Sequence, residues 1–314
     1  MNLVKVLITG GLGGIGQHIV QNLWNEQAHE ITIFDIKNKN TIAVTRGDIF
    51  QDESIRVFWG DITNPETYPN LNKFDVIVHM AFIIPPKSET LPDKIVEKIN
   101  VEGTRKLIDT AKKQEFSGKI IFASSVTIYG PKMWNNKPIT VDHPVNPTDR
   151  YTAHKALCEQ YLIDSGLKYL ILRVSGAMNL KQELSPENLK MLYAIPYNQR
   201  FEFVHPMDVA LAFSRAVSCD AENKILNIAG GKSCQVKYHE IIEKMMGVFN
   251  IPLPDRSKFT TNWYYIDYYD TTTSQKLLNY QTRTLDNFID DFRQNIGIGG
   301  EIVKFFGPIA KYFV

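Results

Sequence analysis

A tyrosine and a lysine four residues apart are the pair in this sequence best suited to acid–base chemistry. Tyr151 and Lys155 open a segment in which apolar residues such as Leu157 and Leu162 recur at helical spacing. Residues four apart share one helix face, so the ammonium can sit near the phenol and lower its pKa from about 10. A packed tyrosine beside a solvated lysine has the same spacing, so the pair predicts a site only in company with other residues. His154 lies about 100° round the helix from either residue, and we treat it as a bystander.

Two serines are among the other residues that support a site at this pair. The run from Lys119 to Ala123 has the apolar character of a buried strand, and Ser124 and Ser125 follow it directly. The carboxyl ends of parallel strands form the sheet edge where ligands bind, so both hydroxyls are expected there. Together with a glycine-rich turn, the position of Tyr151 26 residues after Ser125 favours a catalytic interpretation of the pair.

The glycine-rich turn spans residues 9–16, between an apolar run from Leu3 to Ile8 and a helical pattern that begins at Ile15. Gly10 suits the sharp turn, Gly13 lets the backbone approach a pyrophosphate, and Gly16 lets the helix pack closely on the strand. The N-terminus of the helix offers unpaired N–H groups to a phosphate. Glycines also occur in turns that bind nothing, so the residues that follow decide the interpretation.

The second predicted strand, Glu30 to Asp35, ends in an acid 19 residues after Gly16. A carboxylate at that distance suits the ribose diol of a dinucleotide, and its charge disfavours the extra phosphate of NADP. Lys37 and Lys39 weaken that repulsion. The sequence therefore predicts NAD as the cofactor and leaves NADP possible.

A further acid is predicted to contact the adenine. Gly-Asp-Ile occurs at residues 47–49 and again at 60–62, but only the second copy ends a strand-like run, Ile55 to Trp59. Asp61 would therefore lie at the ligand-binding edge of the sheet. The alternative is that Asp61 is a helix N-cap before Pro65.

The fold class follows from the order of these elements. Strand patterns alternate with helical ones, and a further strand from Phe74 to Ala81 precedes a helix from Asn100 to Lys112. Such alternation is typical of an α/β fold with a doubly wound parallel sheet, the Rossmann arrangement.

The composition excludes several classes of function. The chain has 314 residues, 44% of them apolar, and a formal net charge of +1, which gives no electrostatic basis for binding nucleic acid. Cys158, Cys219 and Cys234 lie far apart and suggest neither disulfides nor a zinc site, so a cytoplasmic location is favoured. We expect no cleavable signal and no transmembrane segment, because no apolar run reaches the roughly 20 residues that span a bilayer.

Taken together, the sequence resembles the extended short-chain dehydrogenase/reductase family, the NAD-dependent epimerases and dehydratases. The resemblance implies an NAD(P)-dependent oxidoreductase that transfers hydride reversibly at a substrate hydroxyl or ketone. It also implies a small-molecule substrate and a homodimer. The matching pieces are the turn at 9–16, Asp35, Asp61-Ile62, His79-Met80-Ala81, Asn100, the segment 124–130, Tyr151 with Lys155, Leu172-Arg173 and the segment 203–210.

The resemblance also assigns roles to single residues. Ser125 would hydrogen-bond the substrate oxygen, with Ser124 as the fallback because it is the poorer match. Tyr151 would exchange the proton, and Lys155 would bind the nicotinamide ribose and tune Tyr151. The predicted cofactor-binding residues are Gly10, Gly13, Ile15, Gly16, Asp35, Asp61, Ile62, Ala81, Asn100 and Lys155.

A division into two domains is also predicted. Residues 1–175 with 200–230 would form the dinucleotide-binding Rossmann domain. Residues 176–199 with 231–314 would form a smaller substrate-binding domain with an amphipathic C-terminal tail.

The substrate half departs from the family pattern. Nucleotide-sugar members commonly carry an asparagine and an arginine where this chain has Gly176 and Phe201, and Arg200 lies one residue away from that arginine's place. The largely apolar segment between Arg173 and Phe201 favours a smaller or more apolar substrate than a standard nucleotide sugar. A nucleotide-sugar 4-epimerase or dehydratase is the alternative, and an NAD-binding sensor or interaction protein is the alternative of another class.

Two late segments are left open by the sequence. The aromatic run Trp263-Tyr264-Tyr265 either lines the substrate cleft or packs the smaller domain. The amphipathic tail, residues 301–314, caps that domain, contacts a second subunit or lies on a membrane surface.

Overall fold

Seven parallel strands form the central sheet of the protein. A computed structural model describes residues 3–131, 137–178 and 192–295. The strands are β1 (Val4–Thr9), β2 (His29–Asp35), β3 (Ile55–Trp59), β4 (Val76–His79), β5 (Lys119–Ser125), β6 (Lys168–Val174), β7 (Arg200–Glu202), β8 (Lys224–Ile228) and β9 (Gln235–Lys237). The sheet has the order β3-β2-β1-β4-β5-β6-β8, and β7 pairs with β9 in a separate antiparallel ribbon.

Helices cover both faces of the sheet, as a doubly wound fold requires. The helices are α1 (Gly14–Asn25), α2 (Lys39–Val44), α3 (Lys87–Thr90), α4 (Asp93–Glu97), α5 (Gly103–Lys113), α6 (Arg150–Asp164), α7 (Pro206–Ser218), α8 (Tyr238–Val248), α9 (Thr272–Leu278) and α10 (Leu285–Asn295). Ile19 of α1 and Phe213 of α7 belong to the core on one face, and Ile108 of α5 and Leu162 of α6 belong to the core on the other. The predicted fold class is confirmed by this arrangement.

The carboxyl ends of β1 and β4 meet at the point where the strand order reverses. β1 lies between β2 and β4, and consecutive connections therefore run outward in opposite directions from it. In open α/β sheets ligands bind in the crevice at such a point. The glycine turn after β1 and the serines at the end of β5 lie on this same edge.

The helix predicted over Asn100 to Lys112 begins differently from the expectation. Residues Lys98–Glu102 form a π-helical segment, and the regular helix α5 starts only at Gly103. Wider turns of this kind occur mostly as single interruptions of α-helices, often at functional sites. The apolar spacing predicted the helix, but it carries no signal for the widened turn.

A second apolar core lies beyond the central sheet. Phe201 and Phe203 pack with Tyr238, Ile242 and Phe288 in this cluster. Part of it comes from Val126, Tyr129 and Ile139, which lie within the residues predicted for the larger domain. The division into two domains stays a prediction.

Within the described ranges, no helix is both long and apolar enough to cross a membrane. The tail at 301–314 lies outside the described residues.

A buried ion pair ties the strand β6 to the helix α6. Arg173 donates to both carboxylate oxygens of Glu159, at 3.0 and 2.7 Å, and also to the Tyr129 hydroxyl at 2.9 Å and the Val141 carbonyl at 3.1 Å. Both members of the pair are only 4% exposed at their side chains. Removing one member would leave the other charge buried without a partner.

Arg173→Met is therefore expected to lower the free energy of unfolding by about 3–5 kcal/mol, because Glu159 loses its counter-charge. The double variant Arg173→Met with Glu159→Met should recover part of that loss. Chemical denaturation measures both. Arg293→Met is the control, since its pair with Asp290 is exposed and is worth about 1 kcal/mol or less. Equal losses in Arg173→Met and the control would contradict the assignment.

Candidate active site

Close packing explains two of the three glycines in the turn after β1. Gly10 has a φ of +70°, and a Cβ there would lie 2.8 Å from the Ala81 backbone nitrogen. A Cβ at Gly16 would lie 2.7 Å from the Gly10 carbonyl oxygen. Gly10 therefore holds the turn against the end of β4, and Gly16 lets α1 approach the turn.

Packing constrains Gly13 less than the other two glycines. Its φ of −72° is ordinary for any residue, but an added Cβ would make a tight contact with the Gly10 carbonyl oxygen at 3.2 Å. Gly13 is also the N-cap of α1 and precedes N–H groups that lack partners within the helix. A glycine at this position leaves the backbone accessible to a ligand that must approach it closely. Ile15, in the first turn of α1, packs against the apolar core instead of pointing fully into solvent.

Asp35 lies at the end of β2, beside the glycine turn. Its carboxylate accepts hydrogen bonds from the Leu12 N–H at 3.0 Å and the Ile36 N–H at 2.8 Å. Burial raises the pKa of this carboxyl, and the two backbone hydrogen bonds oppose the rise. The acid is thus held at the place where the sequence predicted a ribose contact.

Asp61 is exposed just after β3, and its carboxylate accepts the Thr63 N–H at 2.8 Å. The N-cap before Pro65 is Asn64, which accepts the Glu66 N–H. The alternative that made Asp61 this N-cap is therefore wrong. Ile62 is buried, and an added Cβ at Gly103 would lie 3.0 Å from its side chain.

A buried chain of hydrogen bonds connects the glycine turn to the π-helical segment. The Thr9 hydroxyl lies 3.3 Å from the Ala81 N–H and 2.7 Å from His79 Nδ1. His79 Nε2 lies 2.9 Å from the Thr104 hydroxyl, which donates to the Asn100 carbonyl. Burial lowers the pKa of His79 to about 3, so the imidazole is neutral.

Asn100 reaches the site through a neighbouring loop. Its amide nitrogen donates to the Ile83 carbonyl at 2.9 Å, and its amide oxygen accepts the Ile83 N–H at 2.7 Å. Its side chain is therefore committed to the segment that follows β4, where Ala81 lies against Gly10. The role of Asn100 in cofactor binding stays a prediction. In the structure, the Asn100 side chain supports this loop.

Tyr151 lies in the first turn of α6, and its ring meets Phe82 edge-on, with ring centres 6.1 Å apart. Burial raises the pKa of Tyr151 to about 12, the Ser125 hydroxyl opposes that rise, and the Asp149 carboxylate adds to it. Asp149 is the N-cap of α6 and accepts the Thr152 N–H at 2.8 Å. The cap fixes the start of the helix that carries both Tyr151 and Lys155.

Lys155 is buried and forms no ion pair with a carboxylate of the described residues. Its ammonium donates to the Ala123 carbonyl and lies 3.5 Å from the centre of the Phe82 ring and 5.9 Å from that of Tyr151. Burial lowers the pKa of Lys155 to about 7. The amine can therefore change its charge near neutral pH, beside the phenol that would exchange a proton.

Ser125 and Ser124 differ in their hydrogen bonding. The Ser125 hydroxyl lies 2.9 Å from that of Thr127 and 3.4 Å from the Val174 carbonyl. The Ser124 hydroxyl is buried without a partner among the described residues. The preference for Ser125 over Ser124 stays a prediction.

Thr127 and Phe82 are two candidates that the sequence did not single out. The Thr127 hydroxyl contacts Ser125, and the Phe82 ring covers the Lys155 ammonium and meets Tyr151 edge-on, with ring centres 6.1 Å apart. The signal in the sequence that could have identified Phe82 is its position directly after Ala81, at the ligand-binding edge of the sheet. Thr127 lies within the quoted segment 124–130.

Comparison with known proteins decides the family. A model of the NAD dependent epimerase/dehydratase family matches residues 6–229, which is more than half of the sequence. The chain belongs to this family. The resemblance to the extended short-chain dehydrogenases/reductases is thereby confirmed, as are the membership of an enzyme family and the dependence of that family on NAD.

Relatives of this epimerase/dehydratase family member fall into two groups. A Methanocaldococcus jannaschii protein provisionally named as a UDP-glucose 4-epimerase is 30% identical over 266 residues, 77% of this chain and 82% of its own length. The sterol-4-alpha-carboxylate 3-dehydrogenase of Candida albicans is 29% identical over 183 residues, 56% of this chain and 51% of its own. The second match is confined to about half of each protein.

Solved structures share the fold of this family member. A UDP-glucuronic acid 4-epimerase from Bacillus cereus, in complex with UDP-glucuronic acid and NAD, has a TM-score of 0.76 at 18% identity, and the match covers 93% of this chain and 99% of that one. A dTDP-glucose 4,6-dehydratase from Bacillus anthracis in complex with NAD has a TM-score of 0.75 at 17% identity, covering 96% and 99%. These likenesses establish the common fold.

The described residues fit the cofactor of the family. The open backbone at Gly13, the partnerless N–H groups of α1 and the carboxylate of Asp35 follow one another along the edge where β1 and β2 end. These are the groups that a pyrophosphate and a ribose diol require. Lys155 lies further along that edge, beyond β4.

Gly13→Ala is expected to weaken NAD binding by at least about tenfold, because the added methyl group occupies the approach to the backbone. Gly14→Ala is the matched control, since a Cβ there meets no atom within 4 Å. Titration of NADH fluorescence measures the dissociation constants, and thermal unfolding shows that both variants fold. Equal affinities in the two variants would rule out this role for Gly13.

Lys155→Met is expected to raise the free energy of unfolding by about 1–2 kcal/mol at pH 7, because it removes a buried charge that has no counter-ion. The pKa of Lys155 is lowered from 10.5 to about 7 in the folded state. Between those values the unfolded chain binds more protons, so wild-type stability gains a contribution as pH rises through this window. The advantage of the variant should therefore shrink towards pH 10.5.

Lys119→Met provides the matched contrast. Lys119 is also buried, but its ammonium donates to the Ala216, Cys219 and Ala221 carbonyls just after α7. Its removal should destabilise by about 1–3 kcal/mol, because those carbonyls lose a charged donor. A loss of stability in both lysine variants, measured by denaturation at several pH values, would contradict the contrast.

Proposed function

We propose that this protein catalyses reversible, NAD-dependent hydride transfer at a carbon that bears a hydroxyl or ketone, on a substrate other than a standard nucleotide sugar. The observation that carries the proposal is the buried Lys155 ammonium, which lies 5.9 Å from the centre of the Tyr151 ring and donates to the Ala123 carbonyl, two residues before Ser125. A phenol with an adjacent switchable cation forms an acid–base unit.

In the oxidative direction Ser125 donates a hydrogen bond to the substrate oxygen, and Tyr151 as phenolate takes the hydroxyl proton. The O–H and C–H bonds of the alcohol break and a C=O bond forms, so the substrate loses two electrons and two hydrogen nuclei. When bound, NAD supplies the acceptor for the hydride, which carries both electrons. In the reductive direction Tyr151 returns the proton.

Lys155 has two parts in this proposal. Its ammonium favours the phenolate form of Tyr151 by direct electrostatic attraction, which opposes the rise in the phenol pKa that burial causes. It also offers donors to the nicotinamide ribose. The pKa of Lys155 near 7 means that a modest change in its surroundings changes its charge. Because the site is buried, the attraction to the phenolate and the hydrogen bonds to the ribose are both stronger than they would be in water.

The second candidate function is nucleotide-sugar 4-epimerisation, which the name of the Methanocaldococcus jannaschii relative favours. The two candidates differ in what happens to the cofactor. An epimerase ends each turnover with its NAD oxidised, whereas a dehydrogenase produces NADH in proportion to product. Absorbance of NADH in the presence of UDP-glucose, with separation of UDP-glucose from UDP-galactose, distinguishes them. A homodimer is proposed for either case, on the family resemblance.

Tyr151→Phe is expected to lower turnover by at least about a thousandfold, because the proton acceptor is lost, while NAD affinity changes by less than about threefold. Tyr161→Phe, on the same helix and only partly buried, is the control and should keep wild-type turnover. Steady-state kinetics and NADH titration measure the two properties. Retained turnover in Tyr151→Phe would refute the assignment, and an inert protein that still binds NAD would favour the sensor alternative.

A further inference from the structure

The chain that leaves β6 runs directly past Ser125. Val174 is the last residue of β6 and pairs in register with Ser125, whose hydroxyl lies 3.4 Å from the Val174 carbonyl. Gly176 follows two residues later, and it bridges to Phe203. Whatever surrounds Gly176 therefore lies beside the hydroxyl that would hold the substrate oxygen.

The space beside Gly176 is filled by apolar groups. A Cβ at this position would lie 2.8 Å from Phe201 Cζ and 3.0 Å from Ile266 Cδ1. Both neighbours are at most 5% exposed and belong to the second apolar core. A polar side chain at Gly176 cannot be accommodated without moving the ring, so this wall of the site is apolar by packing and not by composition alone.

The charge of Arg200 is already satisfied. Its guanidinium lies 2.7 Å from the Asp267 carboxylate and 4.3 Å from the centre of the Tyr268 ring, and both members of the ion pair are largely buried. Recruiting Arg200 to a diphosphate would leave Asp267 buried without a counter-charge, which is costly. Arg200, one residue away from the place of the family's arginine, therefore already has a partner of its own.

Two tyrosines of the aromatic run pack on each other. The Tyr264 and Tyr265 rings lie 4.0 Å apart, and the Tyr264 backbone is held on both sides by Gln199. Burial is the main cause that raises the pKa of both phenols, and the carboxylates of Asp149 and Glu89 add to the rise. Uncharged phenols offer no positive charge to a diphosphate.

From these contacts we infer that the substrate carries its hydroxyl or ketone on an uncharged, apolar body. The body packs against the wall formed by Phe201 and Ile266 at Gly176. The inference rests on the proposed function for the position of the reacting carbon beside Ser125 and Tyr151. The specificity-determining residue is Phe201.

Binding to the NAD-loaded protein tests the inference without requiring turnover. Calorimetry with 4-tert-butylcyclohexanol, an apolar cyclic secondary alcohol, should show saturable binding. Calorimetry with UDP, which presents the nucleoside and its diphosphate without the sugar, should show none at millimolar concentration. Binding of UDP at micromolar concentration would overturn the inference, and so would absence of binding of the alcohol up to its solubility limit.

Variants at Phe201 test whether its ring contributes to binding of the alcohol. Phe201→Ala should weaken binding of 4-tert-butylcyclohexanol by about tenfold, because the apolar wall loses its ring. Phe201→Leu keeps an apolar side chain and should stay within about threefold. Phe58→Ala, at an exposed phenylalanine on the edge strand β3, is the control and should leave binding unchanged. NAD affinity and thermal unfolding show whether each variant is folded, and unchanged alcohol binding in a folded Phe201→Ala would refute the role of this residue.

The outcomes separate the inference from the proposed function. If the alcohol binds, UDP does not, and no NADH forms with this alcohol or its longer-chain analogues, the inference stands and the proposed chemistry fails. If UDP binds and Tyr151→Phe abolishes turnover of a UDP-sugar, the acid–base assignment stands and the inference fails.

Discussion

The hydrogen bond from the Lys155 ammonium to the Ala123 carbonyl is the contact on which the geometry of the site depends. It joins the helix α6 to the strand β5, and the same strand ends in Ser125. Tyr151 is one helical turn before Lys155, so fixing the lysine against the strand also fixes the phenol on the same face of the helix. A buried ammonium has few alternative partners here, because rings of Phe82 and Phe122 occupy its other sides.

Two further constraints keep this contact in register. The N-cap Asp149 sets the residue at which α6 begins, through reciprocal bonds with Thr152. The Arg173–Glu159 pair holds the middle of the same helix to β6, the strand next to β5. A helix fixed at its start and at its middle cannot rotate, and the side chains on its sheet-facing side keep their positions.

Much of the cofactor side of this arrangement could be predicted from the sequence, because its signals are local. Glycine spacing, an acid at a strand end and a tyrosine four residues before a lysine depend only on elements of known period. The strand Ile55–Trp59 has the predicted bounds for the same reason. The alternative that made Asp61 the N-cap before Pro65 was wrong, because an Asp and an Asn three residues apart offer the same chemistry locally.

The substrate side depends on contacts between residues distant in the chain, which no local pattern reports. Gly176 meets Ile266 across 90 residues, and Asn100 holds Ile83 from a widened helical turn that apolar spacing does not mark. The pairing of Arg200 with Asp267 is equally non-local. The sequence could say that an arginine was displaced from its usual place, but only the folded chain shows which acid neutralises it.

The buried hydrogen-bond chain through His79 has a polarity that follows from counting its protons. Thr104 gives its single hydroxyl proton to the Asn100 carbonyl, so it must accept from His79 Nε2. The other ring nitrogen then accepts from Thr9, whose oxygen accepts from the Ala81 N–H. Every donor points in the same direction along this chain of hydrogen bonds. An imidazolium would reverse one bond and interrupt that order. The histidine is thus a spacer with one permitted tautomer, and a shift of the glycine turn would pull directly on the loop that carries Phe82.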